Sequence, residues 1–227
     1  PTLRARLTAF GDALLAASPP IAGLDRSIVI DPRRVHLTLG VMRLEKEDAA
    51  ATACGKDDNA DPPKKIPSTA LALLRSLAPQ LAALGPARVD LERLGVLKTQ
   101  KGGREANVLW SASGGTEKSS LYAIADLVHQ TFRREGYITE TRPLKLHVTL
   151  LNTTHRKKPR RRLAFSYTDV LQSEAVKLLG AVLPGPAKAG DAEVSSVFVP
   201  AMHAVHLCEM GSHGPDNEYV SVGCVEF

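Results

Sequence analysis

Apolar positions along the chain follow two spacings, one helical and one alternating. Leu3, Leu7, Phe10 and Leu14 share a helical face, and Thr2 before them is a good N-cap, so a first helix is predicted there. Val35 to Leu44 reads as a strand. Residues 45–66 then lose apolar content and gain Asp, Lys, Ala and Pro, the pattern of a mobile surface insertion. A second helical pattern starts near Ser68 and turns Leu71, Leu74, Leu77, Leu81 and Leu84 inward, while Pro79 inside it predicts a kink or a split. Residues 87–97 and 106–112 read as strands joined by a Lys/Gly/Arg turn at 98–105.

Leu121, Ile124, Ala125, Val128 and Phe132 mark a third helix closed by Gly136. Residues 145–152 predict another strand. Asp169 is the expected cap of a fourth helix with Leu171, Leu178 and Val182 inward, and a Pro/Gly/Ala loop at 184–190 leads to two last strands near 203–210 and 218–226. Strands and helices are interspersed, so the expected class is α+β or α/β, arranged as one domain over residues 1–227.

Composition adds limits. With 227 residues the chain has room for one large domain or two small lobes. No apolar run reaches the length of a membrane span, so none is expected, and no charged-then-apolar leader is visible at the start of the sequence given, which opens abruptly at Pro1 as a trimmed chain would. The net charge is +5, but six basic residues crowd into Arg156, Lys157, Lys158, Arg160, Arg161 and Arg162, and the remainder carries −1. Polyanion contact is therefore expected to be local, through a basic loop at 156–162 that reads first as an RNA clamp, with a nuclear import signal or a solvated hairpin as the alternatives. Three cysteines without motif spacing argue against a disulfide framework and fit a reducing compartment, nuclear or cytoplasmic.

One internal repeat carries the functional argument. Asp31-Pro32-Arg33-Arg34-Val35-His36-Leu37-Thr38-Leu39 matches Arg142-Pro143-Leu144-Lys145-Leu146-His147-Val148-Thr149-Leu150, 111 residues later. Strand alternation puts Arg34, His36 and Thr38 on one face, and Lys145, His147 and Thr149 likewise, with aliphatic residues on the other side of each. Two such faces meeting with approximate two-fold symmetry would gather two imidazoles, two hydroxyls and two cations, a setting for a phosphate. One imidazole can take a proton from an attacking hydroxyl or water while the other gives one to the leaving oxygen. Thr38 and Thr149 can bond the non-bridging oxygens, with Arg34 and Lys145 offsetting charge. The scheme needs no metal or other cofactor. A strand-packing motif left by duplication is the bland alternative.

The doubled His-x-Thr-x motif, with His36–Leu44 (HLTLGVMRL), Arg142–Thr153 (RPLKLHVTLLNT) and Leu207–Gly211 (LCEMG), resembles the two-histidine (2H) phosphoesterases. Within them it is similar to the 2′-5′ RNA ligase-like branch of A-kinase anchoring protein 7 and activating signal cointegrator 1 complex subunit 1. The resemblance implies a bilobal fold with antiparallel sheets lining a central cleft and helices outside. It implies metal-independent work on RNA-related phosphodiesters: 2′,3′-cyclic phosphates, 2′-5′ linkages or RNA ends. A non-catalytic nucleotide or RNA binder in a larger nuclear assembly is the alternative it leaves open. Family members usually carry a strand before the first helix, and this sequence opens at the helix.

The remaining candidates are weaker. His203, His206 and Cys208 cross strand faces and make a poor metal set. His155 and His129 read as surface residues. For base stacking, Tyr219 is the preferred aromatic, with Trp110 expected in the core, Phe165 as a loop anchor and Tyr167 as a further candidate. The expected partner is an RNA or nucleotide phosphodiester, and the expected state is a monomer.

Overall fold

The computed structural model describes residues 2–47, 64–113, 119–156, 163–179 and 192–227. The elements, in chain order, are α1 (Leu3–Leu15), α2 (Pro67–Ser76), α3 (Ala78–Leu84), β1 (Ala87–Leu97), β2 (Glu105–Ala106), β3 (Val108–Ser113) and α4 (Ser120–Arg134). They continue as β4 (Val148–Asn152), β5 (Phe165–Ser166), α5 (Tyr167–Gln172), α6 (Ala175–Leu178), β6 (Ala192–Met202), β7 (Ala204–Cys208) and β8 (Ser221–Glu226). All the ladders are antiparallel: a four-stranded sheet in the order β4-β3-β1-β6, and two-stranded sheets β2-β5 and β7-β8. The fold is α+β: of the two classes that the interspersed pattern allows, the antiparallel ladders select this one, as the family resemblance implies.

Local chemistry explains most boundaries. Thr2 caps α1 by accepting the Ala5 N–H at 3.3 Å. The single helical pattern from Ser68 splits at Leu77, because Pro79 has no N–H and so occupies the first turn of a new helix, α3. Gly136, at φ 73°, ends α4 with the paired bonds Gly136 N–H to Arg133 O and Tyr137 N–H to Phe132 O. The cap of α5 is Ser166, not Asp169. Ser166 Oγ accepts the Asp169 N–H at 3.2 Å, which leaves the Asp169 carboxylate in the first turn, where the helix dipole favours it. The fourth helical pattern is two short helices, and Leu178 is 44% exposed instead of inward. Val182, the 184–190 loop and most of the 45–66 insertion lie outside the described residues.

Apolar faces of α1 (Leu7, Phe10, Leu14) and α4 (Ile124, Val128, Phe132) join Leu91, Leu94, Leu109 and Leu151 of the large sheet in one core. Strand β6, which the sequence pattern does not separate from the neighbouring loop, adds an edge to β1. The predicted strand 35–44 forms only in part. Leu37 bridges Val148 on β4, and beyond it residues 38–44 run without a ladder. They are held instead by His129, a buried histidine of α4 rather than a surface one, whose Nδ1–H donates to Leu39 O at 2.7 Å. Beside it Gly40 packs under Ile138, where an added Cβ would come within 2.2 Å of Ile138 Cδ1.

Candidate functional site

Each His-x-Thr segment starts from a proline turn or bend. In the first, Asp31 accepts the Arg33 N–H at 2.9 Å and caps a 3-10 turn over Pro32–Arg34, after which the chain extends. In the second, the chain extends from Lys145 into β4, which ladders with β3. The antiparallel Leu37–Val148 bridge joins the two segments. Leu37 and Val148 both pack into the core, Val148 at 4% exposure. By alternation His36, Thr38, His147 and Thr149 turn to the opposite face. Antiparallel register then sets His36 across from Thr149, and Thr38 across from His147. Such facing positions are ~5 Å apart and their diagonals ~7–8 Å, so the two histidines occupy a diagonal with the two hydroxyls on the other.

The two histidines share a tautomer. His36 Nδ1 lies 2.8 Å from Arg34 O, and His147 Nδ1 lies 2.8 Å from Lys145 O. A carbonyl only accepts, so each Nδ1 carries a proton and each Nε2 of a neutral ring is left as the basic nitrogen. Each ring also meets an aromatic edge-on, His36 against Tyr219 at 5.0 Å and His147 against Trp110 at 6.4 Å between centroids. The cation two residues before each histidine covers that same aromatic: Arg34 Cζ lies 4.0 Å from the Tyr219 centroid, and Lys145 Nζ 4.5 Å from that of Trp110. Contacts of this kind are worth ~0.5–1 kcal/mol at exposed sites.

The cations differ in what else holds them. Arg34 Nη1 donates to Ser212 O and Asn217 O, each at 2.9 Å, and also meets His213 Nδ1 at 3.3 Å. It therefore clasps the 212–218 loop that carries Tyr219. Asn217 completes the clasp by donating to Asp31 Oδ2 at 2.8 Å. Those two bonds, from the Arg33 N–H and the Asn217 amide, hold the Asp31 carboxyl below its ordinary range. Lys145 is exposed, and its ammonium has no ion pair or hydrogen bond among the described residues. His155 sits near Arg34 and His213, and burial, with their positive charge added, pushes its imidazole below its usual value.

A cavity of about 880 Å³ opens beside the first half-site. His36, Thr38 and Tyr219 line it with the chain from Val35 to Met42, the edge of β7 and an apolar floor that includes Val89, Leu91 and Phe132. His147 and Thr149 are not on its wall and adjoin it only through the Leu37–Val148 bridge. His206 lines the cavity too, and Ser221 Oγ accepts its Nδ1–H at 3.1 Å while donating to Gly223 O. Among the described residues no group of three His, Cys, Asp or Glu side chains is placed to hold a metal ion.

Several sequence readings change. Arg156, the first residue of the basic run, is buried: its Nη1 donates to Leu163 O, its Nη2 to Gly23 O, and its Nε pairs with Asp25 at 3.0 Å. It ties the chain just before β5 to the loop at residues 23–25, and residues 157–162 lie outside the described residues. Tyr167 is 4% exposed and belongs to the core, as do Phe165 and Trp110, although Trp110 also touches His147. That contact has a signal in the sequence only through register: Trp110 pairs with Thr149 across β3 and β4, which no local pattern discloses.

An α+β fold in which two His-x-Thr segments are bridged side by side, with matched tautomers, defines a protein of the two-histidine type. The profile of the AKAP7 2′5′ RNA ligase-like domain family matches residues 1–183, and the chain belongs to that family. Its place is thus with the 2H phosphoesterases. No curated protein matches the chain.

Proposed function

We propose that the chain is a metal-independent phosphodiesterase acting on RNA ends or small nucleotide phosphodiesters carrying a 2′,3′-cyclic phosphate or a 2′-5′ linkage. The observation that supports this most is the Leu37–Val148 bridge, which sets both histidines on one face with Nε2 free on each. One neutral Nε2 takes the proton of the attacking water or hydroxyl. The other histidine, protonated, gives the Nε2 proton to the leaving oxygen as the P–O bond breaks. Thr38 and Thr149 donate to the non-bridging oxygens, and Lys145, the less encumbered cation, approaches the phosphate. Arg34 supports the phosphate from behind the Tyr219 loop, and Tyr219 offers the substrate an aromatic wall. In this reading the chain works as one bilobal domain, probes RNA in the nucleus or cytoplasm, and acts as a monomer.

The cavity beside His36 supports a second reading, a nucleotide-binding module without turnover. Incubation with a 2′,3′-cyclic-phosphate oligonucleotide and a 2′-5′-linked one, in EDTA, separates the two. Turnover that is lost in both His36→Ala and His147→Ala is the expected result. Nucleotide binding without product would overturn the enzyme reading for these substrates.

A further inference from the structure

Trp110 is the sole tryptophan of the chain, and its apolar neighbours in sequence give it the look of a core residue. Its register tells more. It pairs with Thr149, so its ring shares the face of the second His-x-Thr pair. His147 meets it edge-on, and the exposed Lys145 ammonium covers it. Only 3% of the residue is exposed, and its Nε1–H has no hydrogen-bond partner among the described residues. A buried indole N–H ordinarily finds an acceptor. Lys145 cannot supply one, since an ammonium only donates.

We propose that Trp110 is a substrate-binding residue of this site. Its Nε1–H donates to a non-bridging phosphate oxygen once Lys145 leaves the ring for the same phosphate, while the ring keeps His147 aimed. This rests on the phosphoester reading above. An ammonium held only by an aromatic face is drawn away by an arriving anion, and with that face open the indole can tilt its in-plane N–H toward the anion. Two linked side-chain movements thus bring two donors to the phosphate. The first half-site has no equivalent, because Arg34 is fixed over Tyr219 by loop carbonyls. The more highly charged end of the substrate is therefore oriented toward His147.

A single tryptophan gives a single indole cross-peak in a ¹H–¹⁵N spectrum. Adenosine 2′-monophosphate, titrated to millimolar concentration in EDTA, should move that peak downfield with the same midpoint as the Thr149 amide. Trp110→Phe keeps an edge-on ring without the donor. It should weaken nucleotide affinity about tenfold while leaving the His147 imidazole resonances in place. Trp110→Leu should weaken binding and shift those resonances as well. If Trp110→Leu does not fold, the unmodified chain and Trp110→Phe decide. An indole peak that stays still while the Thr149 amide moves overturns this proposal and leaves the phosphoester reading standing. If neither moves, both fail.

Discussion

His147 stands at the head of a strand laddered to β3, whereas His36 stands on a segment that reaches the sheet through one bridge. Both present the same parts: a Nδ1–H held by the carbonyl two residues back, an edge-on aromatic and a cation over that aromatic. Backbone hydrogen bonds aim the second half-site. Side-chain bonds of long sequence separation aim the first, through Arg34 and Asp31 to the 212–218 loop and through His129 to Leu39. A duplicated motif can thus keep its chemistry while its support diverges, because only the positions of the reacting groups must match.

If the two halves are chemical equals, losing either imidazole should cost the same. His36→Ala and His147→Ala are each expected to lower turnover by about 10² to 10⁴-fold, and the double variant to cost little beyond either single one. Single-turnover rates on a cyclic-phosphate oligonucleotide measure this. A loss under tenfold for one of them would break the equivalence.

The cations should part company. Arg34→Met removes donors from several loop carbonyls and is expected to cost about 2 kcal/mol of stability as well as activity. Lys145→Met touches no hydrogen bond and should stay within about 0.5 kcal/mol of the parent while raising KM and flattening its salt dependence. Denaturant melts beside KM at two ionic strengths separate these effects. Equal destabilisation by both substitutions would mean that the first half-site has no special clasp.

The sequence discloses the chemistry better than its support. The repeat around His36 and His147 is visible because alternation assigns faces without any knowledge of partners. Helices with caps and breakers are equally visible, as Thr2, Pro79 and Gly136 show. The missed features depend on contacts far apart in the chain. Arg156 lies in a cationic run yet is buried on Asp25, His129 looks like a surface helix residue yet anchors Leu39, and Trp110 reaches His147 only through strand register. Strand 35–44 has the right pattern but lacks a ladder past Leu37, and this segment and β7 both line the cavity. A hydrophobic pattern sets which way a strand faces, not whether a neighbour is present.

Acid offers the gentlest way to pull the halves apart. Asp31 accepts the Arg33 N–H and the Asn217 amide, and these bonds depress its pKa in the folded chain. A depressed carboxyl stabilises the fold above its unfolded value of about 3.9, and the contribution is lost as pH falls through the lower folded value. Below about pH 4 the Asp31–Asn217 bond should weaken and free the loop that carries Tyr219, while β4 keeps its ladder. Amide exchange between pH 6 and 3 should therefore show Gly214, Asn217 and Val220, whose N–H groups are bonded within the loop, losing protection before Leu150 and Leu151, after correction for intrinsic rates. His213 and Glu218 share that loop, so Asp31→Asn is the control: it should remove the acid step and leave a loop of uniformly lower protection. Protection lost together in both segments would show that the clasp and the strand ladder are one cooperative unit, and the contrast between the half-sites would not hold.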